Sequence, residues 1–150
     1  GRMYKLKCYE IPEGGRTARG ANIVNLLPLE GDEKIAYMIK VREFDEDHFL
    51  VMATRDGYIK RTSLEAYRNV RKNGLIAITL NEGDELASAR LTDGVSELLL
   101  ATENGMCIRF DEQQVRPMSR TARGVRGIKL RNGDRVISMA RNLGKGGGRK

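Results

Sequence analysis

Apolar residues in this chain fall in short runs broken by Gly, Asp and Asn, and no segment sustains the 3.6-residue period of an amphipathic helix. Phe49–Thr54 (FLVMAT), the turn Arg55-Asp56-Gly57 and Tyr58–Thr62 (YIKRT) predict a β-hairpin, because Asp-Gly supplies the positive backbone torsions of a tight turn. Glu97–Thr102 (ELLLAT), Glu103-Asn104-Gly105 and Met106–Phe110 (MCIRF) predict the same hairpin again, now with Asn-Gly. Thr54-Arg55-Asp56-Gly57 and Thr102-Glu103-Asn104-Gly105 correspond position by position. Ser63–Tyr67 (SLEAY) predicts a single helical turn with Ser63 as its N-cap.

The hairpins belong to a longer repeat with a period of about fifty residues. Three segments open on a Gly and a strand-like run that carries a basic residue: Gly1–Glu13, Asp56–Tyr67 and Asn104–Val115. A second Gly follows in each, at Gly20, Gly74 and Gly124, then an apolar run (IVNLLPLE, LIAITLNE, VRGIKLRN). A Gly-Asp turn closes each run, at Gly31-Asp32, Gly83-Asp84 and Gly133-Asp134, and leads into a last strand (EKIAYMIKV, ELASARL, RVISMAR). Four short strands per repeat predict an all-β, propeller-like array of about three blades, with repeats near 1–48, 49–96 and 97–143. A generic β-sandwich or barrel leaves the even spacing unexplained. The strand that would match Phe49–Thr54 has no counterpart ahead of Gly1. Residues 144–150, basic and Gly-rich, are expected to form a flexible tail.

Composition changes this picture through charge. Lys and Arg number 27 against 20 Asp and Glu, a net charge of +7. The balance favours an anionic partner, but its distribution is more informative. No acid occurs in residues 14–29, 66–81 or 113–133, and these windows occupy the same place in each repeat. The acids collect at Glu30–Glu33, Glu43–Asp47, Glu82–Glu85 and Asp93–Glu97. Equivalent loops of a blade array lie along one rim, so the windows predict a basic stripe. Its candidate phosphate contacts are Arg16, Arg19, Arg68, Arg71, Lys72, Arg116, Arg120, Arg123 and Arg126. Arg suits phosphate because its planar fork of donors matches two oxygens and stays charged when partly desolvated.

Two of the windows share the pentapeptide RTARG, at Arg16–Gly20 and Arg120–Gly124. Its Gly allows a tight, left-handed turn with close approach of backbone N–H groups, its Ala leaves room, and its Thr adds a hydroxyl. The repeat is therefore read both as a reused turn and as a reused contact. The middle window has RNVRKNG (Arg68–Gly74), which keeps the charge and the closing Gly but not the order. A backbone grip tolerates that change and base reading does not. Aromatics are 5% with no Trp, so stacking on single-stranded bases is unsupported and duplex DNA fits better.

Other chemistry is sparse. His48, the only histidine, sits in the acidic loop EFDEDHFL and reads as a solvated loop residue rather than a metal ligand. Cys8 and Cys107 lack CxxC spacing and read as small buried hydrophobes in a reducing cytoplasm. The tyrosines are scattered, as expected of core or rim packing. No nucleophile elbow, P-loop or HExxH occurs, and no apolar run reaches the ~18 residues of a membrane helix.

Tyr9–Ile35, Val51–Tyr67 and Gly124–Met139 closely resemble the C-terminal domain of bacterial DNA gyrase A, and the resemblance covers Gly1 to about Arg141. It implies a six-bladed β-pinwheel whose blades exchange strands, of which this chain holds about three. It further implies a basic rim that bends and wraps duplex DNA in support of ATP-dependent negative supercoiling. The implied partners are duplex DNA, the rest of gyrase A, and gyrase B in an A2B2 assembly, in the bacterial cytoplasm at the nucleoid and not at a membrane. The catalytic tyrosine, ATPase site and metal site belong to other domains, so the resemblance implies no catalytic residue, metal or cofactor here, with ATP and Mg used elsewhere in the enzyme. The family's Gln-Arg-Arg-Gly-Gly-Lys-Gly box is absent, and its nearest echoes are Arg16–Gly20 and Arg120–Gly124. Alternatives are the related C-terminal domain of topoisomerase IV, a blade-array module for an acidic protein, and a small hydrolase.

Overall fold

The computed structural model describes residues 1–7, 10–11, 13–21, 26–31, 33–71 and 74–142. The basic tail 144–150 and Cys8 lie outside the described residues. The chain is all-β. Its strands are β1 (Arg2–Met3), β2 (Phe49–Thr54), β3 (Tyr58–Ser63), β4 (Leu75–Ile76), β5 (Leu86–Thr92), β6 (Glu97–Thr102), β7 (Cys107–Asp111), β8 (Val125–Arg126) and β9 (Val136–Asn142). Both predicted hairpins form: β2 pairs antiparallel with β3, and β6 with β7. The last strand of each repeat returns to the other side of the hairpin, β5 against β2 and β9 against β6. A register shift falls at the same place in both sheets, at Ala53/Thr54 and Ala101/Thr102.

The short strands do something the spacing did not reveal. β4 pairs with β1 of the preceding repeat, and β8 pairs with β3 of the preceding repeat. The sheets are therefore β5-β2-β3-β8, β7-β6-β9 and β1-β4, so neighbouring blades share strands. The positional correspondence is strict: the N–H groups of Ala77 and Ile78 donate to the Gly1 carbonyl, and those of Gly127 and Ile128 donate to the Gly57 carbonyl.

Side chains on β2 alternate between two cores, as the period of a strand requires. Val51 and Ala53 join Ile59, Leu98, Leu100, Ile128, Val136 and Met139 on the side of the third repeat. Leu50 and Met52 join Leu64, Tyr67, Ala77, Ile78 and Ala89, with Met3 packed against them, on the side of the first. β2 is thus buried on both faces and ties three repeats together.

The Gly83-Asp84 and Gly133-Asp134 turns each brace the hairpin turn of their own repeat. Asp84 Oδ1 accepts from the N–H groups of Asp56 (3.0 Å) and Glu85 (2.8 Å). Asp134 Oδ1 accepts from Asn104 (3.1 Å) and Arg135 (2.8 Å). The hairpin Thr adds a second brace, Thr54 Oγ1 accepting from Tyr58 N–H and Thr102 Oγ1 from Met106 N–H.

Four expectations are corrected. The predicted strand EKIAYMIKV forms no strand, and Lys34–Lys40 are exposed. Its counterparts β5 and β9 are held by β2 and β6, and no strand among the described residues pairs with this segment. Cys107 is exposed rather than buried. The equivalent Ile59 is covered by β8, whereas β7 is an edge strand. The helical turn forms as a 3-10 turn, Leu64–Tyr67, but Ser63 makes no side-chain capping bond. Tyr37, expected to pack, is 44% exposed because it lies on the segment that forms no strand.

Candidate nucleic-acid interface

The two RTARG copies form the same local turn, with Ala18 N–H donating to the Gly15 carbonyl and Ala122 N–H to the Ser119 carbonyl. Beyond the turn they differ. Arg16, Thr17, Ala18, Arg19 and Gly20 are all exposed, and nothing lies within 4 Å of where a Cβ on Gly20 would stand. The second copy is docked on the preceding repeat. Lys60 Nζ on β3 donates to the Arg120 carbonyl and to the Ala77 carbonyl (2.5 Å). Arg61 Nε donates to the Val115 carbonyl (2.7 Å), and Met118 N–H donates back to the Arg61 carbonyl (2.7 Å). Thr79 Oγ1 donates to the Thr121 carbonyl (2.6 Å), and Thr79 N–H to the Ala122 carbonyl (3.4 Å).

Gly124 closes the turn at φ +98°, where a Cβ would collide with the Ile59 carbonyl, and Gly74 sits at φ +84° against Tyr4. The left-handed torsion predicted for both RTARG glycines is found only at Gly124; Gly20 is not among the glycines with positive φ. The torsion lets the backbone pass the neighbouring strand, and no such strand lies beside Gly20 among the described residues.

Lys60 is fully buried and has no carboxylate partner among the described residues. Burial, followed by the nearby Arg120 charge, lowers its pKa from 10.5 to about 8. Two carbonyls from neighbouring repeats converge on one ammonium, which fixes the start of the turn against β3. In the sequence Lys60 and Arg61 stand out only as basic residues in a strand-like run. That signal was real, but a donor for the next repeat is visible only once β8 is seen against β3.

The nine candidate contacts are not equivalent. Arg16, Arg19, Arg71 and Arg116 are exposed and bond to no side chain or carbonyl among the described residues. Arg68 Nη2 donates to the Phe44 carbonyl (2.9 Å) and Arg123 Nη1 to Asn81 Oδ1 (3.3 Å), both side chains remaining exposed. Arg126 lies over the Tyr58 ring, 5.1 Å from its centroid, and donates to its hydroxyl (3.3 Å). Arg120 is half-buried, with Nη1 on the Ile76 carbonyl (2.5 Å), and serves the docking of its turn. Lys72 lies outside the described residues.

None of the eight described candidates forms an ion pair with a carboxylate among the described residues. Five arginines outside the windows do: Arg2 with Glu30 and Glu33, Arg55 with Asp56 and Glu85, Arg109 with Glu97, Arg135 with Glu103, and Arg141 with Asp93. Internal neutralisation therefore follows the acid-free windows seen in the sequence.

His48 is exposed, with Nδ1 2.8 Å from Asp45 Oδ1, and the bond holds the Asp45 carboxyl below its usual range. No cluster of three or more His, Cys, Asp or Glu able to hold a metal occurs among the described residues. No helix among them is long and apolar enough to cross a membrane.

Comparison with known proteins follows the same repeat. The family described as DNA gyrase C-terminal domain, beta-propeller, matches residues 1–42, 48–93 and 96–142. The DNA gyrase A protein of Clostridium acetobutylicum is 55% identical over 127 residues, covering 85% of this chain and 15% of that protein. The crystal structure of the C-terminal domain of DNA topoisomerase IV superposes with a TM-score of 0.80 at 33% identity, over 91% of this chain and 43% of that one. The structure of the DNA gyrase A C-terminal domain superposes with a TM-score of 0.78 at 27% identity, over 93% of this chain and 44% of that one. The chain thus spans only about 15% of the length of the curated relatives it matches. With blades that share strands, a family match in each of three repeats and curated relatives that are DNA gyrase A proteins, the chain belongs to the beta-propeller family of DNA gyrase C-terminal domains.

Proposed function

We propose that this chain binds duplex DNA through its phosphates, without reading base sequence, and bends it as part of the C-terminal domain of a gyrase A protein. One observation carries the reading: arginines inside the acid-free windows have no carboxylate partner among the described residues, whereas five outside them do. Cations without an internal counter-charge favour a polyanion, and release of condensed counterions drives its binding. Bending is repaid by the further contacts it permits. The partners are the remainder of gyrase A, and gyrase B, in an A2B2 enzyme of the bacterial cytoplasm. That enzyme uses ATP and Mg outside this chain to introduce negative supercoils, and this chain contributes no catalytic group.

Fluorescence anisotropy with a labelled duplex tests the reading. With about 6–8 phosphate contacts, log K falls against log salt with a slope of about −5 to −7. Unrelated duplexes of equal length bind alike. Salt-independent binding, or strong preference for one sequence, overturns the proposal. A second reading, the corresponding domain of topoisomerase IV, is favoured by the higher structural likeness, 0.80 against 0.78. Opposing it, the gyrase A relative reaches 55% identity. Topology measurement on relaxed circles, with the chain restored to its full-length protein, separates the two: the gyrase reading expects negative supercoils, the other only relaxation.

A further inference from the structure

A cleft of about 320 Å³ opens beside the second RTARG turn, lined by Arg116, Met118, Ser119, Ala122, Arg123 and Gly124 among others. Two arginines line one concavity, and the window from 113 to 133 contains no acid to neutralise them. The Arg116 side chain has no bond to any described residue, and that of Arg123 holds only Asn81 Oδ1 at 3.3 Å, a weak neutral contact that a charged acceptor outcompetes. Ser119, which carries a hydroxyl, lines the same cleft.

The backbone adds donors. Ala122 N–H is used within the turn, but the N–H groups of Ser119, Thr121, Arg123 and Gly124 have no protein acceptor among the described residues. Ala122, a small residue of the pentapeptide, lines the same cleft, whereas the missing Cβ of Gly124 makes room for β3. The carbonyls of Arg120, Thr121 and Ala122, which would repel an anion, are occupied by Lys60 and Thr79 of the preceding repeat. Docking on β3 thus engages the turn's acceptors and leaves its donors free, which is the requirement for an oxyanion seat.

We propose that this cleft seats one phosphate group between Arg116 and Arg123, with Ser119 and the free N–H groups of the turn completing its shell. The source, a DNA backbone phosphodiester or free phosphate, rests on the duplex-binding reading above, and the chemistry of the seat is common to both. The first RTARG copy, exposed and undocked, provides an internal control of the same sequence.

Amide chemical shifts of the full chain, titrated with inorganic phosphate against chloride at constant ionic strength, test the seat. The expected result is saturable movement of Ser119, Arg123 and Gly124, with less at Arg16–Gly20, and at least a fivefold weakening in Arg116→Gln and in Arg123→Gln. Unchanged stability of these two exposed-site variants is checked by thermal unfolding, and Arg123→Lys serves where Arg123→Gln unfolds. No saturable movement, or equal movement at both copies, overturns the seat. In a second arm with a short duplex, the same amides move and Arg123→Gln lowers the salt slope by about 1. Phosphate binding without duplex binding keeps the seat and overturns the DNA reading. Duplex binding that leaves these amides still overturns the seat and keeps the DNA reading.

Discussion

Lys60 shows how a single side chain joins two repeats. Its ammonium is buried on carbonyls of Ala77 and Arg120, and burial lowers its pKa from 10.5 to about 8. Between those values the unfolded chain holds a proton that the folded chain has lost, so stability rises with pH across that interval. The penalty of burying the charge is fully present below the folded pKa and disappears above the unfolded one. Relative to Lys60→Met, which has no proton to lose, the native protein should gain about 2 kcal/mol between pH 8 and pH 10, read by urea unfolding. A flat difference would show that the ammonium is not desolvated. Gly124 is the second such residue. Gly124→Ala should cost about 2–4 kcal/mol, from the positive φ and the collision with Ile59, whereas Gly20→Ala should be near neutral. Thermal unfolding of the two variants side by side checks this.

At the scale of elements, the hairpin and the Gly-Asp turn are one unit. Asp84 and Asp134 each accept two backbone N–H groups, and Asp84 is buried while Asp134 is not. Asp84→Ala should therefore cost about 2–3 kcal/mol and Asp134→Ala about 1–2 kcal/mol, measured by chemical denaturation. Equal and negligible losses would mean that the Thr brace alone holds the turns. The Gly-Asp dipeptides were visible as turn signals at a fixed place in each repeat. Their role as a brace for a hairpin about 28 residues earlier was not, because a carboxylate's acceptor geometry leaves no mark on local periodicity. The edge position of β7, and with it the exposure of Cys107, was hidden for the same reason.

Across the whole molecule, stability is uneven. Both cores use β2, and the larger adds β3, β6 and β9, whereas Lys34–Lys40 carry exposed Ile35, Tyr37 and Met38 with no strand. Native-state hydrogen exchange should show slow amides in β2, β3, β6 and β9 and fast ones at Lys34–Lys40. Uniform protection would contradict this division. The same arrangement separates the two RTARG copies, one docked on β3 and one exposed throughout.

The amino-acid order alone determined the period of about fifty residues, both hairpins, the Gly-Asp turns, the acid-free windows and the family, because each is a local pattern of residue types. Only the folded chain decided that β4 and β8 join the sheet before their own, that Lys60 and Arg61 receive the next repeat, and that Arg120 serves docking while Arg116 and Arg123 line a cleft. These depend on which carbonyl meets which donor across segments tens of residues apart. Hydrophobic spacing fixes which face of a strand is buried, and it carries no information about which neighbour that strand will pair with.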